Sequence, residues 1–154
     1  MRYLKKELLL YEDNSQEAQE YYDKLWCEQC EALSVAQKKI KHKLPKKLWE
    51  IMTDTAFHDA INENINISRR VKKYKPLFDI TITLRSYDGK SLYELFYEDV
   101  SSFKTDLCLE DLSMHFDYLY GEFLYEDKKF VHNFLAFGYC ETNIVCKKIE
   151  IKEM

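Results

Sequence analysis

The stretch that decides the fold is FDITITLR, residues 78–85, which is followed closely by LYELFY, residues 92–97. In the first stretch an apolar residue stands at every second position, which is the period of a β-strand with one buried and one solvated face. Asp88-Gly89 lies between the two stretches, and an Asp-Gly pair flanked by alternating residues is typical of a tight hairpin. The sequence therefore predicts two antiparallel strands joined by a short turn.

Further strand patterns lie on both sides of this hairpin. Isoleucines alternate with asparagines in residues 61–67, and residues 130–137 are apolar at nearly every position. Gly138 interrupts the second run, and a β-rich stretch resumes over residues 143–151. We expect these last two stretches to form a hairpin that closes the chain.

The N-terminal third has a helical period instead. The run Asn14-Ser15-Gln16-Glu17 has the composition of a helix N-terminus, and apolar residues then recur every three or four positions as far as Ile40. This pattern predicts a long amphipathic helix over residues 15–43. Pro45 cannot continue that helix but suits the first turn of another, which we predict over residues 45–53.

Helices followed by strands favour an α+β fold in which N-terminal helices pack on a mainly antiparallel β-sheet. The chain has 154 residues, and only 3 glycines and 2 prolines are available for linkers. We therefore expect a single α+β domain over residues 1–154, mainly helical in residues 1–54 and mainly β in residues 55–154.

Two features favour a cytoplasmic protein without membrane association. No stretch reaches the roughly 20 apolar residues of a membrane span, and the apolar run near the N-terminus is too short for a signal peptide. The 5 cysteines are an odd number and lack the spacing of a secreted disulfide framework, which is typical of free thiols.

The charge is distributed unevenly along the chain. Residues 38–75 carry 11 basic and 4 acidic side chains, whereas residues 76–154 carry 8 and 15. An acidic C-terminal half argues against general nucleic-acid binding, whose affinity comes largely from Lys and Arg at phosphates. The basic stretches 38–47 and 69–73 leave nucleic-acid contact open as a minor alternative, although such runs are more often the solvated faces of a helix and a loop.

Residues 105–127 interleave acidic and aromatic side chains, and their period fits either a helical turn or, from Tyr118 to Tyr125, a strand. Tyrosine supplies contact area with a polar tip, and carboxylates attract a basic partner over a long range. The alternative is that the aromatic residues belong to the core and the acids to a solvated rim. The predicted partner-binding residues are Asp106, Glu110, Asp111, Asp117, Tyr118, Tyr120, Glu122 and Tyr125.

This acidic, tyrosine-rich face leads to the first functional hypothesis. It is a non-catalytic protein-binding module of the immunity or antitoxin type, which covers a basic protein partner. The sequence has no glycine-rich phosphate loop, nucleophile elbow or His-Glu-x-x-His helix. We therefore expect neither a catalytic site nor a cofactor.

The alternative hypothesis is a small enzyme or metal-binding protein that uses His58, Asp59 and His132. Imidazole and carboxylate groups on strands can meet across a sheet, hold a metal ion or act as acid and base. The competing interpretation is that His58 and Asp59 bind backbone groups where the helices give way to the sheet, and that His132 is a hydrogen-bonded core histidine. The spacing does not decide between the two.

The run Trp26-Cys27-Glu28-Gln29-Cys30 places two thiols one helical turn apart, as in redox and zinc motifs. A redox pair belongs at a helix N-terminus, where the helix dipole stabilises a thiolate, but this run lies well inside the predicted helix. We therefore interpret the two cysteines as small buried hydrophobic residues.

Four short elements carry a resemblance to a known family. They are Met1-Arg2-Tyr3, Leu44-Pro45-Lys46-Lys47-Leu48-Trp49, Phe57-His58-Asp59-Ala60 and the strand around Val131-His132. They span most of the chain, which resembles the uncharacterised Bacillota family called domain of unknown function 4085. The resemblance implies an α+β fold and a bacterial cytoplasmic setting, and it implies no activity.

Overall fold

The computed structural model describes residues 1–10, 15–53, 57–106, 117–136 and 140–154. Within these ranges two α-helices precede eight strands, so the predicted α+β class is confirmed. No helix there is long and apolar enough to cross a membrane. The elements are α1 (Gln16–Ile40), α2 (Lys46–Thr53), β1 (Ile61–Lys72), β2 (Lys75–Arg85), β3 (Leu92–Glu98), β4 (Ser102–Thr105), β5 (Tyr118–Glu126), β6 (Lys129–Ala136), β7 (Cys140–Cys146) and β8 (Lys148–Glu153).

Local signals place both helices close to where the sequence predicts them. Ser15 caps α1, because its Oγ accepts a hydrogen bond from the N–H of Ala18 at 3.3 Å and satisfies a donor that the helix leaves unpaired. The α-helix gives way to a 3-10 turn at Lys41–Lys43, inside the predicted span. Leu44 is extended, because the following Pro45 disfavours a helical conformation of the residue before it.

The strands form two antiparallel sheets of four strands each, where we expected one sheet. The strand order is β1-β2-β3-β8 in the first sheet and β4-β7-β6-β5 in the second. The predicted pairing of β6 with the strand that follows it is confirmed. The β-rich stretch 143–151 is divided between β7 and β8, because the chain changes sheet at Lys147, where no glycine or proline signals the bend.

The main core lies between the two sheets. One face of β2 and β3 and one face of β5, β6 and β7 contribute to it. Its largest fully buried side chains include Tyr97, Phe123 and Phe134, and Leu48 of α2 packs into the same core. Burying an apolar side chain of this size stabilises a fold by about 1.5–3 kcal/mol.

A smaller core lies on the opposite face of the second sheet. There Leu33 of α1 packs with Leu124 of β5 and with Leu4 of the N-terminal segment. Trp26 adds an edge-to-face contact with Tyr120, at 5.0 Å between ring centroids. The long helix therefore packs on a sheet, as predicted, but on the outer face of the second sheet.

The predicted hairpin of β2 and β3 is confirmed, with a longer connection than a tight turn. Residues 86–91 link the strands, and the N–H of Ser86 donates to the carbonyl of Ser91 at 2.9 Å. Gly89 has a φ angle of 71°, a left-handed value that favours glycine.

The hairpin of β1 and β2 extends beyond the rest of the first sheet. β3 pairs with β2 only over residues 80–85, whereas β1 and β2 stay paired as far as Lys72 opposite Lys75. We call residues 67–79 the arm.

The basic run 69–73 is therefore strand and turn, and the prediction of a solvated loop there is wrong. The two turn residues, Lys73 and Tyr74, have φ angles of 48° and 65°. A two-residue hairpin turn requires such left-handed values and usually takes them from Asn-Gly. Because neither residue is Asn or Gly, the sequence contains no turn signal here.

Candidate functional site

His132 lies in the main core with its side chain fully enclosed. Its Nδ1 is 2.7 Å from Tyr97 Oη, and its Nε2 is 3.1 Å from Tyr118 Oη. Burial lowers the pKa of His132 to about 3, so the ring is neutral at pH 7. A neutral imidazole has one donor and one acceptor nitrogen, so one tyrosine donates to the ring and the other accepts from it. His132 is therefore a hydrogen-bonded core histidine with both nitrogens occupied.

Gly121 makes room for this cluster. A Cβ atom at this position would lie 1.5 Å from Tyr118 Oη and 3.1 Å from His132 Nε2, so no side chain fits unless the tyrosine moves. Phe123 stacks on the imidazole at 3.8 Å between ring centroids. Close packing, and not an opening for a substrate, surrounds the histidine.

His58 and Asp59 lie on the surface, in the turn that precedes β1. His58 Nδ1 is 2.7 Å from Asp59 Oδ2, and the imidazole meets the ring of Tyr120 edge-on at 4.7 Å. Within the described ranges no hydrogen bond, ion pair or ring contact joins either residue to His132. No three His, Cys, Asp or Glu side chains among the described residues could hold a metal ion. The structure therefore does not bring together the residues of the enzyme hypothesis.

A cavity of about 410 Å³ opens beside His58, between α1 and β5, and its lining is mostly apolar. Cys30 also lines it, but burial and the nearby Cys27 raise the pKa of the Cys30 thiol, which is the opposite of what a nucleophile needs. Both cysteines are free and exposed, so their interpretation as buried residues is wrong. Trp26 and Leu33 make the contacts of α1 with the sheet, whereas Cys30, on the same helix face, borders the open cavity.

Glu122 is buried, and its carboxylate binds the N-terminal segment. It accepts hydrogen bonds from the backbone N–H groups of Arg2, Tyr3 and Leu4, with a distance of 2.9 Å for Tyr3. Asn133 Nδ2 donates another at 2.7 Å. These donors compensate the cost of burying a carboxylate. The prediction that Glu122 contacts a partner is wrong, because its side chain does not reach the surface.

Other carboxylates of the C-terminal half also pair within the chain. Arg2 forms an ion pair with Glu126, and Lys6 forms one with Asp106 at 3.4 Å. Asp106 belongs to the predicted partner-binding set. Part of the acidic half therefore already binds the basic N-terminal segment of the same chain.

The predicted aromatic contact residues are also largely engaged inside the fold. Tyr118 is buried in the main core and hydrogen-bonded to His132, so it is wrong as a partner contact. Tyr120 is half-buried beside α1, and Tyr125 is half-buried with its ring edge-on to Phe130 at 4.9 Å. The remaining members are Asp117, which is half-buried, and Glu110 and Asp111, which lie outside the described residues.

The arm presents a different kind of surface. Residues opposite each other in an antiparallel pair share a face, and the face of Ile80, which is buried in the main core, continues outward along the arm. Ile80 is 1% exposed, but Phe78 is 43% and Val71 is 65% exposed. The exposed apolar side chains of the arm are Ile67, Val71 and Phe78 on this face and Tyr74 at the tip.

Basic side chains are adjacent to these apolar residues: Arg69 lies on the same face, Lys72 and Lys75 lie on the opposite face, and Lys73 lies in the turn. Those that are exposed and form no ion pair with a described residue are Arg69, Lys72, Lys73 and Lys75. No acidic residue occurs anywhere between Asn64 and Phe78. The arm therefore combines apolar surface with uncompensated positive charge.

Arg70 fixes the base of the arm on the opposite face. Its Nε is 2.6 Å from Asp79 Oδ2, and its Nη2 binds Asp99 and lies 3.3 Å from Glu98 Oε1. Burial raises the pKa of Asp79, but the hydrogen bonds from Arg70 and from the Asp99 N–H at 2.8 Å outweigh it and hold that pKa below its usual value. The arm is thus tied to the corner that follows β3.

The two basic stretches of the sequence do not form one surface. Lys47, in the first stretch, pairs with Glu153 of β8 at 2.6 Å. The arm carries the second stretch on β1, and β1 and β8 are the opposite edges of the first sheet. This separation weakens the nucleic-acid alternative, which needs one continuous basic surface.

A signal for the arm does exist in the sequence. The alternation of Ile65 and Ile67 with polar residues continues through Arg69 to Val71, so the strand period does not stop where the basic run begins.

Comparison with known proteins does not assign the chain to a family. No protein-family model and no curated protein matches the sequence of the chain. The resemblance to domain of unknown function 4085 stays a prediction.

Proposed function

We propose that this chain is a non-catalytic protein-binding module that binds an acidic protein through its arm. The observation that carries the proposal is the exposure of Val71, Phe78 and Tyr74 beside cations that have no ion-pair partner among the described residues. An apolar patch framed by uncompensated charge of one sign is typical of a protein-binding surface.

A protein suits this surface better than a nucleic acid does. Nucleic-acid affinity comes mainly from Lys and Arg at phosphates, and aliphatic side chains such as Ile67 and Val71 gain nothing from a phosphate. A protein partner can bury these side chains and place carboxylates against the cations at the same time.

The expected sign of the partner's charge changes with this proposal. The hypothesis of an immunity or antitoxin-like protein with a basic partner relies on carboxylates that, in part, already bind the N-terminal segment, among them Glu122 and Asp106. An immunity or antitoxin-like role remains within the proposal as one form of protein binding, with an acidic partner. The described residues do not support the enzyme alternative that combines His58, Asp59 and His132, because His132 is enclosed and its nitrogens are occupied.

The test is capture of a partner from native extract by the tagged chain, with two arm variants and two matched controls. One variant replaces Val71 and Phe78 with Ser, and the other reverses the charge of Lys72 and Lys73 to Glu. The controls change exposed residues of α1 and α2, Val35→Ser and Lys46→Glu, which are 54% and 91% exposed.

Wild type and both controls should capture the same acidic protein, and both arm variants should lose it. The charge-reversal variant should keep the wild-type unfolding midpoint, and the serine variant should lower it slightly, because Phe78 is partly buried. Capture should fall as salt rises, because the steering charges are exposed. Capture that survives both arm variants, or that disappears after nuclease treatment, contradicts the proposal.

A further inference from the structure

Among the described residues, nothing pairs with the outer edge of β1 along the arm. β1 is the first strand of its sheet there and pairs with β2 on one side only. In an antiparallel pair, alternate residues turn their N–H and C=O groups toward the partner strand or away from it. The hydrogen bonds around the arm show which residues of β1 turn theirs away.

The carbonyl of Phe78 accepts a hydrogen bond from the N–H of Val100 at 2.7 Å, so it points away from β1. Arg69 stands opposite Phe78, and residues opposite each other in such a pair both turn their backbone groups outward. The N–H and C=O of Arg69 therefore point to the open edge.

Two other features of the hairpin agree with this assignment. Val71 stands opposite Pro76, which has no N–H to offer across the pair. A two-residue turn is closed by a hydrogen-bonded pair, which here is Lys72 opposite Lys75. In the next pair, Val71 opposite Pro76, the backbone N–H and C=O groups therefore point away from the partner strand. Because the register is regular from Asn64 onward, the same alternation means that the N–H and C=O groups of Ile65 and Ile67 also point to the open edge.

This edge lacks two of the features that usually prevent strand pairing, a bulge and a proline, and its charged side chains repel only a strand of the same sign. Its only register shift lies at its start, between Asn62 and Asn64, and residues 64–72 continue without a bulge. They contain no proline, and the outward backbone groups belong to residues whose side chains are mostly apolar. An edge strand that is regular, long and apolar on one face is a template for another strand.

We propose that the acidic partner binds by adding an extended segment to the edge of β1, with hydrogen bonds to the backbone of Ile65, Ile67, Arg69 and Val71. This inference rests on the proposed function and specifies its mode. Alternate apolar residues of the added strand lie on the face of Ile67 and Val71. Its end nearest the tip carries carboxylates that meet Lys72 and Lys73.

Charge argues for a foreign segment and against a second copy of the chain. Pairing two arms edge to edge brings both sets of unpaired cations into one interface, and like charges on neighbouring strands destabilise a sheet. An acidic segment removes that repulsion and compensates the arm.

The test uses proline at adjacent positions of β1 and the partner captured by wild type. Arg69→Pro removes an outward N–H, which an edge strand tolerates, whereas Ser68→Pro removes an N–H that bonds to β2. Arg69→Ala is the matched control for the lost side chain.

Arg69→Pro should keep nearly the wild-type unfolding midpoint and bind the partner at least about tenfold more weakly than Arg69→Ala, which loses only the contribution of one exposed cation. Ser68→Pro should lower the unfolding midpoint. On the wild-type complex, hydrogen exchange should slow at the amides of Ile65, Ile67, Arg69 and Val71 and stay unchanged at the residues between them.

The remaining outcomes separate the two proposals. If Arg69→Pro binds as well as Arg69→Ala while the Val71 and Phe78 serine variant still loses the partner, strand addition is wrong and the binding function stands. If all arm variants bind as wild type does, the proposed function fails as well. Equal destabilisation by Arg69→Pro and Ser68→Pro overturns the assignment of the open edge, and a wild-type dimer that Arg69→Pro dissociates assigns the edge to a second copy.

Discussion

Acid should begin to destabilise this protein through His132 before its carboxylates titrate. The pKa of His132 is about 3 in the fold, whereas an unperturbed histidine in the unfolded chain has a pKa of about 6.5. Between these values the unfolded state binds one more proton than the folded state. The free energy of unfolding therefore rises with pH across this window. The contribution of His132 to stability is fully present above about pH 6.5 and is lost as the pH falls toward 3.

The size of the effect follows from the two pKa values. Within the window, each unit by which the pH falls lowers the free energy of unfolding by about 1.4 kcal/mol. Acidification from pH 6.5 to pH 4.5 therefore lowers it by about 3 kcal/mol, and the full window lowers it by about 5 kcal/mol. This is a large share of the about 5–15 kcal/mol that stabilises a typical domain. Urea unfolding followed by tryptophan fluorescence at several pH values between 7 and 4.5 measures it.

His132→Phe isolates the contribution. The variant leaves the hydroxyls of Tyr97 and Tyr118 buried without their partner, which costs about 1–3 kcal/mol each at pH 7, but it removes the proton uptake. Its stability should therefore depend less on pH than that of wild type. Replacing both tyrosines with Phe in addition should recover much of the stability at pH 7, because no buried polar group is then unpaired.

A core variant with no titratable change serves as the control. Phe134→Leu should lower stability and keep the wild-type slope against pH, since Phe134 is buried in the same core and carries no proton. If the profiles of wild type and His132→Phe run parallel between pH 7 and 4.5, His132 is not the neutral, enclosed group described above.

Three further results are expected. Glu122→Ala should cost about 2–4 kcal/mol and speed hydrogen exchange in the N-terminal segment, because three backbone donors lose their acceptor; unchanged exchange would contradict this. Gly121→Ala should cost about 3 kcal/mol or more in urea unfolding, and Tyr118→Phe should restore only part of it, because Tyr118 Cζ would still lie 2.5 Å from the new Cβ. Lys73→Asn combined with Tyr74→Gly should stabilise the fold by about 1–2 kcal/mol, since it relieves two left-handed residues, and a lower unfolding midpoint would refute that reasoning.

The sequence predicts those elements whose signals are local. Ser15 marks the start of α1, Pro45 separates the helices, and the alternation in residues 78–85 gives β2 and its buried face. Each of these depends on neighbouring residues, so a single sequence is enough to find them.

The division of the strands into two sheets could not be predicted in the same way. It depends on a bend at Lys147, where the N–H bonds to the carbonyl of Glu98 at 3.0 Å, a contact far away along the chain. The turn at Lys73 and Tyr74 could not be predicted for a related reason. The fold imposes left-handed φ angles on two residues that do not favour them.

The main error in the predicted site is that buried residues were expected to lie on the surface. Glu122 and Tyr118 lie in an acidic, aromatic segment that resembles a surface, yet one is covered by the N-terminal segment and the other bonds to His132. The hydrogen bond between Tyr3 and Glu122 spans 119 residues, and a pattern within one segment carries no information about such a contact.

Contacts between distant segments also account for much of the charge asymmetry of the chain, because carboxylates of the C-terminal half pair with the N-terminal segment. This pairing decides which sign of charge a partner should carry. A carboxylate such as Glu126 that already pairs with Arg2 attracts a second cation less, because much of its field is cancelled within the molecule. The charges that steer a partner are those left uncompensated by the fold, and on the arm these are positive. If a basic partner used the acidic half, Glu126→Lys would weaken its capture and Lys72→Glu would not. An acidic partner on the arm requires the reverse, so the two substitutions separate the hypotheses by the sign of their effects.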